Sequence, residues 1–266
     1  MSSRNSKAAK DAARERLRIQ REKEAKRAKV RRQLMVGGGV VALLAIAGGV
    51  AVAVNQMNKD SYWQAAAKKT LVKPANSSGT NGTQVVVGDA ANKNTVAEYE
   101  DLRCPVCAAY EQAAGDAVLK GAQDGKYKIV YTFGTFLDNG QSPGSGSKKA
   151  LSALGAALNV STDAFTAYHK VLYSKADHPE ETNDAFNDAD HLIALAQEVP
   201  ALKGNAKFSD AVKKGTFDKW ALTMSSAFDK SGVTATPTVK VNDADVKVPG
   251  LSSTDVMSAI EAKLKK

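Results

Sequence analysis

The apolar and polar positions of the chain change their period along its length, and these changes mark out its elements. Runs rich in β-branched and aromatic residues predict strands at 84–87, 95–99 and 127–133. Between the last two, apolar residues recur three and four positions apart over 108–122, which predicts a helix. A strand, a helix and a strand in this order indicate a parallel pair with a right-handed crossover, so we expect an α/β fold.

A block of helical periodicity follows, and strand patterns return after it. Helices are predicted at 148–158, 163–173, 185–199 and 208–228, the last broken or bent near Gly215. Strands at 238–241 and 246–248, joined by a turn at 242–243, precede a final helix at 253–264. Because the helices come as one block between sheet-forming halves, we interpret about 148–205 as a helical insertion.

One apolar stretch has the length of a membrane span. Residues 34–54, LMVGGGVVALLAIAGGVAVAV, comprise 21 residues without a charged or strongly polar side chain. A helix of this length crosses a hydrocarbon core of about 30 Å, so we predict a single transmembrane helix. The basic residues within 1–33 predict a cytoplasmic N-terminus and an extracytoplasmic C-terminal part. The alternative is a cleaved signal peptide with an A-x-A site at 51–53.

The net charge of +9 belongs to the N-terminal tail. Residues 1–33 carry 13 Lys or Arg against 4 Asp or Glu, whereas residues 34–266 carry 24 of each sign. A neutral body has no basic surplus to meet phosphates, which argues against nucleic-acid binding. Residues 55–82 end in the linker-like PANSSGTNG, so we predict an extracytoplasmic linker there and a folded domain over 83–266.

The chain has only two cysteines, Cys104 and Cys107, at a predicted strand-to-helix turn. Unpaired backbone N–H groups at a helix N-terminus lower the pKa of a thiol and make it reactive. Two cysteines three apart can close a disulfide whose second sulfur resolves adducts on the first. A structural disulfide is the alternative, although so short a loop stabilises little, and half a zinc site lacks a second ligand pair. We therefore expect redox chemistry without metal or cofactor, in an extracytoplasmic compartment where disulfides persist.

The motifs around these cysteines resemble a known family. E-Y-E-D-L-R-C-P-V-C at 98–107, the helical block, and G-V-T-A-T-P-T-V at 232–239 together resemble the DsbA-like branch of the thiol:disulfide oxidoreductases. The two short motifs stand in the family's order about 130 residues apart, which is more specific than either alone. The resemblance covers about residues 83–266 and implies a thioredoxin fold with an inserted helical subdomain.

The resemblance also implies roles for individual residues. Cys104 resembles the exposed nucleophile, and Cys107 resembles the buried resolving cysteine. Pro237 matches the cis-proline beside the disulfide, and Thr236 matches the preceding residue, whose backbone pairs with an extended substrate. Glu98, six residues before the first cysteine, matches a buried acid that exchanges a proton with the second.

Each of these assignments has an alternative. Glu98 shares a strand face with Glu100 and can equally face solvent. For Pro237 the alternative is a trans proline in an edge strand. The dipeptide Pro105-Val106 departs from strongly oxidising members, which often have a histidine second, so the direction of electron flow stays open. The other conspicuous side chains are interpreted as surface or packing residues: Asp101, Tyr110, His169, His178 and His191.

The predicted function is that of a membrane-anchored, extracytoplasmic thiol:disulfide oxidoreductase. It would form disulfides in secreted or membrane proteins through Cys104 and Cys107, without a cofactor. The resemblance implies reoxidation by a quinone-linked disulfide-forming protein of the membrane. A dedicated reductase, for a target such as a cytochrome c maturation factor, is one alternative. A redox-inert thioredoxin-like binding module is the other.

Overall fold

A computed structural model describes residues 62–140, 142–248, 250 and 252–265. The predicted basic tail, 1–33, and the predicted transmembrane helix, 34–54, lie outside these residues. Among the helices that are described, none combines the length and the apolar character that a membrane crossing needs. The predicted anchor therefore stays a prediction.

The core of the domain is a five-stranded mixed sheet with the order β1-β3-β2-β4-β5. Its strands are β1 Val85–Val87, β2 Thr95–Glu100, β3 Lys128–Phe133, β4 Thr238–Val241 and β5 Ala244–Val246. β2 and β3 are parallel, as predicted, and the other three pairs are antiparallel. β5 starts earlier than the predicted strand at 246–248, because Asn242 and Asp243 both adopt positive φ angles and turn the chain within two residues.

The helix after β2 has an interrupted middle. It comprises α1 Pro105–Tyr110, a π-helical turn Glu111–Gly115, and α2 Asp116–Gln123. Proline suits the first helical position, where its missing N–H has no intrahelical partner to lose. At the π-helical turn, a Cβ on Gly115 would clash with Oε2 of Glu111. Glycine at this position therefore leaves room for the Glu111 carboxylate.

Among the described residues between β3 and β4, the chain forms five α-helices. They are α3 Gly146–Val160, α4 Thr162–Leu172, α5 Ala189–Leu195, α6 Ala206–Lys214 and α7 Asp218–Lys230. The predicted break near Gly215 is confirmed, since that glycine ends α6 in the left-handed conformation. The predicted helix 185–199 is shorter, because 3-10 turns at Ala185–Asn187 and Ala196–Glu198 flank α5. α8, Ser253–Glu261, follows the sheet.

The described part of the predicted linker packs against this domain. Residues 62–67 are helical, and Trp63 among them is buried. The Trp220 indole N–H donates to the carbonyl of Gly82 at 2.7 Å, and the Asn76 amide donates to the carbonyl of Leu158 at 2.7 Å. These hydrogen bonds attach residues 62–82 to the domain. The polar composition of the stretch does not reveal such contacts. The folded unit therefore begins before the predicted boundary at 83.

Candidate active site

The two cysteines lie where β2 gives way to α1. Cys104 is the N-cap of α1 in an extended conformation, and Cys107 lies in its first turn. Both thiols are free, and their residues are 7% and 0% exposed, respectively. Cys104 is more covered than the expected exposed nucleophile, but it is the more accessible of the two. Between them, Val106 is 45% exposed and presents an apolar surface beside the thiols.

Hydrogen bonding makes Cys104 the more acidic thiol. Its pKa falls from 9.0 to about 6, chiefly through a hydrogen bond from Cys107 and against the opposing effect of burial. Thr236 and the backbone N–H groups of Cys107 and Val106 lower it further. The predicted lowering of the thiol pKa by a helix N-terminus therefore comes from these two backbone N–H donors. At neutral pH most of Cys104 is thiolate, the form that attacks disulfides.

The second thiol behaves in the opposite way. Burial raises the pKa of Cys107 well above its usual value, and the hydrogen bond to Cys104 and the charge of Glu100 raise it further. Cys107 therefore stays protonated while Cys104 ionises. In a pair with this asymmetry, one sulfur can attack a disulfide as a thiolate, while the other stays a thiol that can resolve the adduct later.

The loop before β4 covers the reactive sulfur. The Thr236–Pro237 peptide bond is cis, and β4 starts at the next residue. The Cys104 sulfur lies 3.7 Å from the carbonyl oxygen of Thr236. The Thr236 hydroxyl is buried and has no other partner among the described residues, so it can donate to the thiolate. The structure thus places Thr236, the residue before the cis-proline, against Cys104.

Glu98 is buried and does not face solvent. Its hydrogen bonds, however, are with tyrosines and not with the cysteines. Its Oε1 accepts a hydrogen bond from the Tyr110 hydroxyl at 2.6 Å, and Tyr131 is a second donor. Burial raises its pKa, and these bonds partly oppose the shift. The carboxyl that interacts with Cys107 through its charge is Glu100, two residues further along β2. The proton exchange expected between Glu98 and the second cysteine therefore stays a prediction.

Glu100 belongs to a buried polar cluster with His169 and Glu111. Nε2 of His169 lies 2.8 Å from Oε2 of Glu100, and Nδ1 lies 3.9 Å from Oε2 of Glu111. Their donor atoms are within 4.8 Å of one another, a spacing that a metal ion can also use. However, the imidazole directs its two nitrogens to different carboxyls. The shorter distance is a hydrogen bond between His169 and Glu100, and Glu100 also shares a hydrogen bond with Glu111.

Arg103 is the supporting residue that the sequence analysis missed. Its side chain is fully buried, and Nη1 lies 3.2 Å from Oδ1 of Asp138 and 3.1 Å from the carbonyl of Pro143. Nη2 donates to the carbonyl of Glu181 at 2.8 Å. The residue directly before Cys104 thereby joins the end of β2 to the loop before α3 and to the loop between α4 and α5.

Most of the residues interpreted as surface or packing positions are buried. Asp101 accepts hydrogen bonds from Ser147 Oγ at 2.6 Å and from the Arg103 N–H at 3.1 Å, and burial raises its pKa to about 7. His178 and His191 pack beside aromatic rings. Tyr110 and His169 instead form hydrogen bonds with the buried carboxyls of Glu98 and Glu100, respectively. Spacing gave no signal for either role.

A thiol of lowered pKa at a helix N-terminus, a second, buried thiol one turn on and a cis-proline loop in contact with the first are the features of the class of protein thiol–disulfide oxidoreductases. The thioredoxin family matches residues 80–262, and the chain belongs to it. The predicted thioredoxin-like α/β fold is thus confirmed for the described domain.

Solved structures agree with this assignment. Reduced DsbA from Mycobacterium tuberculosis is 26% identical, with a TM-score of 0.58 over 69% of this chain and 93% of that one. The reduced disulfide bond oxidoreductase DsbG from the same organism is 27% identical, with a TM-score of 0.52 over 69% and 94%. Oxidised BdbD from Bacillus subtilis, 23% identical, has the same fold with a TM-score of 0.58 over 73% and 100%. No curated protein sequence matches the chain significantly.

Proposed function

We propose that this protein forms disulfide bonds in secreted or membrane proteins, with Cys104 as the nucleophile and Cys107 as the resolving thiol. The observation that carries the proposal is the opposite displacement of the two thiol pKa values, to about 6 for Cys104 and well above the usual value for Cys107. The structures of DsbA and of the disulfide bond oxidoreductase DsbG, 26% and 27% identical to this chain, support thiol–disulfide chemistry at this pair.

In the proposed reaction, a substrate thiolate attacks Cys104 of the oxidised pair. A mixed disulfide forms, and Cys107 leaves as a thiolate that must take up a proton. The second thiol of the substrate then attacks the substrate sulfur that is bonded to Cys104. A disulfide forms within the substrate, and Cys104 leaves as a thiolate. The two electrons from the substrate stay with the enzyme as two reduced cysteines. An extended substrate segment would lie along the backbone at Thr236, with Val106 against its apolar side chains.

The chain would work outside the cytoplasm, held by the predicted helix at 34–54, with a membrane disulfide-forming protein reoxidising it. Both cysteines lie in the domain, so a membrane-impermeant maleimide tests this topology in intact cells. We expect labelling of the reduced wild type and none of the Cys104→Ser/Cys107→Ser double variant. Labelling only after lysis would place the domain in the cytoplasm.

Trapping tests the activity itself. Without its resolving thiol, the Cys107→Ala variant should accumulate mixed disulfides between Cys104 and its substrates and partner in the cell. Cys104→Ser is the matched control and should trap none. If neither variant forms adducts and secreted proteins keep their disulfides in a deletion strain, the domain is a binding module and the proposal is wrong.

One observation favours a second candidate, a dedicated reductase. The Cys104 pKa of about 6 is nearer to the value of about 7 in thioredoxin than to that of about 3.5 in DsbA. A less stabilised thiolate makes the disulfide a weaker oxidant. A reduction potential near about −120 mV would support the oxidase, and one near about −270 mV would support the reductase.

A further inference from the structure

A histidine and a carboxyl face each other across a narrow gap at the wall of an internal cavity. The side chains of His169 and Glu111 are 4% and 9% exposed, and both line this cavity, whose volume is about 120 Å³. It lies between the Pro105–Gln123 helical segment and α4. A cavity of this size with polar walls has room for water molecules. The two side chains are therefore buried but border a space that water can occupy.

Glu100 holds the imidazole from the other side. Its Oε2 lies 2.8 Å from Nε2 of His169, and its side chain is fully buried. With this carboxylate as the acceptor, the ring hydrogen is on Nε2 and the lone pair is on Nδ1. Histidines that bind metal ions commonly donate their other ring N–H to a carboxylate, which fixes the tautomer and the ring orientation. The Glu100–His169 pair therefore has the arrangement that prepares Nδ1 as a ligand.

The gap between the imidazole and Glu111 has nearly the width that a metal ion needs. Nδ1 of His169 lies 3.9 Å from Oε2 of Glu111, too far for a hydrogen bond. Zinc bonds of about 2.0–2.2 Å place two tetrahedral ligand atoms about 3.4 Å apart, so a shift of about 0.5 Å would bring both atoms into contact with one ion. One potential ligand atom from each of Glu100, Glu111 and His169 already lies within 4.8 Å of the others.

The carboxyl oxygens of this cluster lack donors. Apart from the hydrogen bond that the two carboxyls share, Oε1 of Glu100 and Oε1 of Glu111 have no partner among the described residues. Buried polar atoms without a partner are rare, and an ion at the site is one of the few explanations for them. Because Glu111 lines the cavity, its oxygen is accessible to an ion that enters there.

The side chains around the cavity supply little positive charge to these acids. Among the described residues that line it, Lys170 alone has an ammonium group, and it pairs with Asp116 at 2.7 Å. Burial lowers the pKa of His169, so the imidazole stays neutral. Buried carboxylates without a compensating cation are costly. A bound divalent cation would provide the charge that the side chains do not.

We propose that Nδ1 of His169 and the carboxylate of Glu111 bind a Zn²⁺ ion at the wall of the cavity, with Glu100 as the residue that orients the imidazole. Water from the cavity completes the coordination. The ion displaces the proton that the two carboxyls share, and no electron is transferred. An imidazole with carboxylate oxygens suits zinc, whereas Ca²⁺ and Mg²⁺ prefer sites made of oxygen alone. The site is separate from the thiol chemistry and does not rest on the proposed function.

Zinc titration of a protein without thiols tests the site. The full chain carrying Cys104→Ser/Cys107→Ser, in detergent and without a histidine tag, has no thiolate that could bind the metal. Isothermal titration calorimetry with Zn²⁺ should show saturable binding of one ion per chain. Co²⁺ should bind in its place and give the visible absorption of a site with nitrogen and oxygen ligands. Ca²⁺ and Mg²⁺ in large excess should not displace either ion.

Variants in this background locate the ion. Glu111→Gln and His169→Gln each remove a ligand and should abolish the saturable binding. Glu100→Gln should weaken it about 10- to 100-fold, because the imidazole loses the carboxylate that orients it. Gly115→Ala keeps all three side chains, but its Cβ clashes with the Glu111 carboxylate, so it should also weaken binding.

The matched controls are a second carboxyl at the same cavity, Asp116→Asn, and a histidine outside it, His191→Gln. Both should bind Zn²⁺ as tightly as the background protein. The proposal is wrong if the background protein shows no saturable binding, if Glu111→Gln and His169→Gln leave binding unchanged, or if the controls lose as much as they do. Because the background protein lacks both cysteines, none of these results bears on the proposed thiol–disulfide activity, which the trapping experiment tests by itself.

Discussion

The sulfur of Cys104 lies 3.7 Å from the carbonyl oxygen of Thr236, although 132 residues separate them in the chain. The antiparallel pairing of β2 with β4 causes this contact, since Glu98 is opposite Val239 and the two strands bring their adjoining loops together. The residue before the proline therefore controls the surroundings of the reactive thiol, and its side chain and backbone have separable effects.

The Thr236 hydroxyl should stabilise the Cys104 thiolate. In Thr236→Val we expect the pKa of Cys104 to rise from about 6 by roughly one unit, the equivalent of one lost hydrogen bond. The ultraviolet absorbance of the thiolate, followed during a pH titration, measures the change. Thr236→Ser keeps the hydroxyl and should titrate as the wild type does. Equal pKa values in all three proteins would assign the effect to the backbone alone.

The alkylation of the reduced protein should depend on pH in a way that separates the two thiols. Iodoacetamide reacts with thiolate, so modification of Cys104 should rise as the pH increases through about 6 and then level off. Cys107 should stay unmodified in the native protein at pH 8, because its pKa is well above the usual value and it is fully buried. Peptide mass spectrometry measures both. A half-maximal rate near pH 9 at Cys104 would contradict the assigned asymmetry.

The cysteine turn was predictable because its signals are local. A strand pattern ends directly before Cys104, proline occupies the first helical position, and helical periodicity continues beyond Cys107. The proline after Thr236 likewise stands at the start of a strand pattern. Each of these elements is specified by neighbouring residues, whereas their meeting in one site was expected only from the resemblance to the oxidoreductase family.

The groups beneath the thiols were not predictable in the same way. Alternation along β2 puts Glu98 and Glu100 on one face, but it does not say that this face is buried or which carboxyl approaches Cys107. His169 meets Glu100 across 69 residues, and its position on α4 is that of an ordinary packing residue. Only tertiary structure reveals that its neighbours are acids.

Arg103 should be the most sensitive residue of the loop that holds Cys104. Arg103→Met would leave the buried Asp138 carboxylate without this partner and remove the donors to two loop carbonyls, which we expect to cost about 3–5 kcal/mol. Urea unfolding of the reduced protein measures the free energy. Lys120→Met breaks the exposed pair with Asp124 and should cost less than about 1 kcal/mol. A similar small loss in both variants would show that Arg103 does not stabilise the loops.

Where α3 packs against α7, a glycine-to-alanine change should lower the stability of the protein, whereas the same change usually stabilises a helix. Alanine within a helix is ordinarily about 0.5–1 kcal/mol more stabilising than glycine. At Gly155, however, a Cβ would lie 2.7 Å from two ring atoms of Trp220 and 3.2 Å from the Cβ of Phe217. Because Trp220 is fully buried and its N–H is bonded to the carbonyl of Gly82, the ring has little room to move.

We therefore expect Gly155→Ala to lower the free energy of unfolding by about 1–3 kcal/mol, as overpacked core positions do. Chemical denaturation followed by tryptophan fluorescence measures it. Val160→Ala, at an exposed position of the same helix, should change stability by no more than about 0.5 kcal/mol. A Gly155→Ala protein as stable as the wild type would mean that the two helices separate at little cost. The five-helix block would then be looser than its close contacts imply.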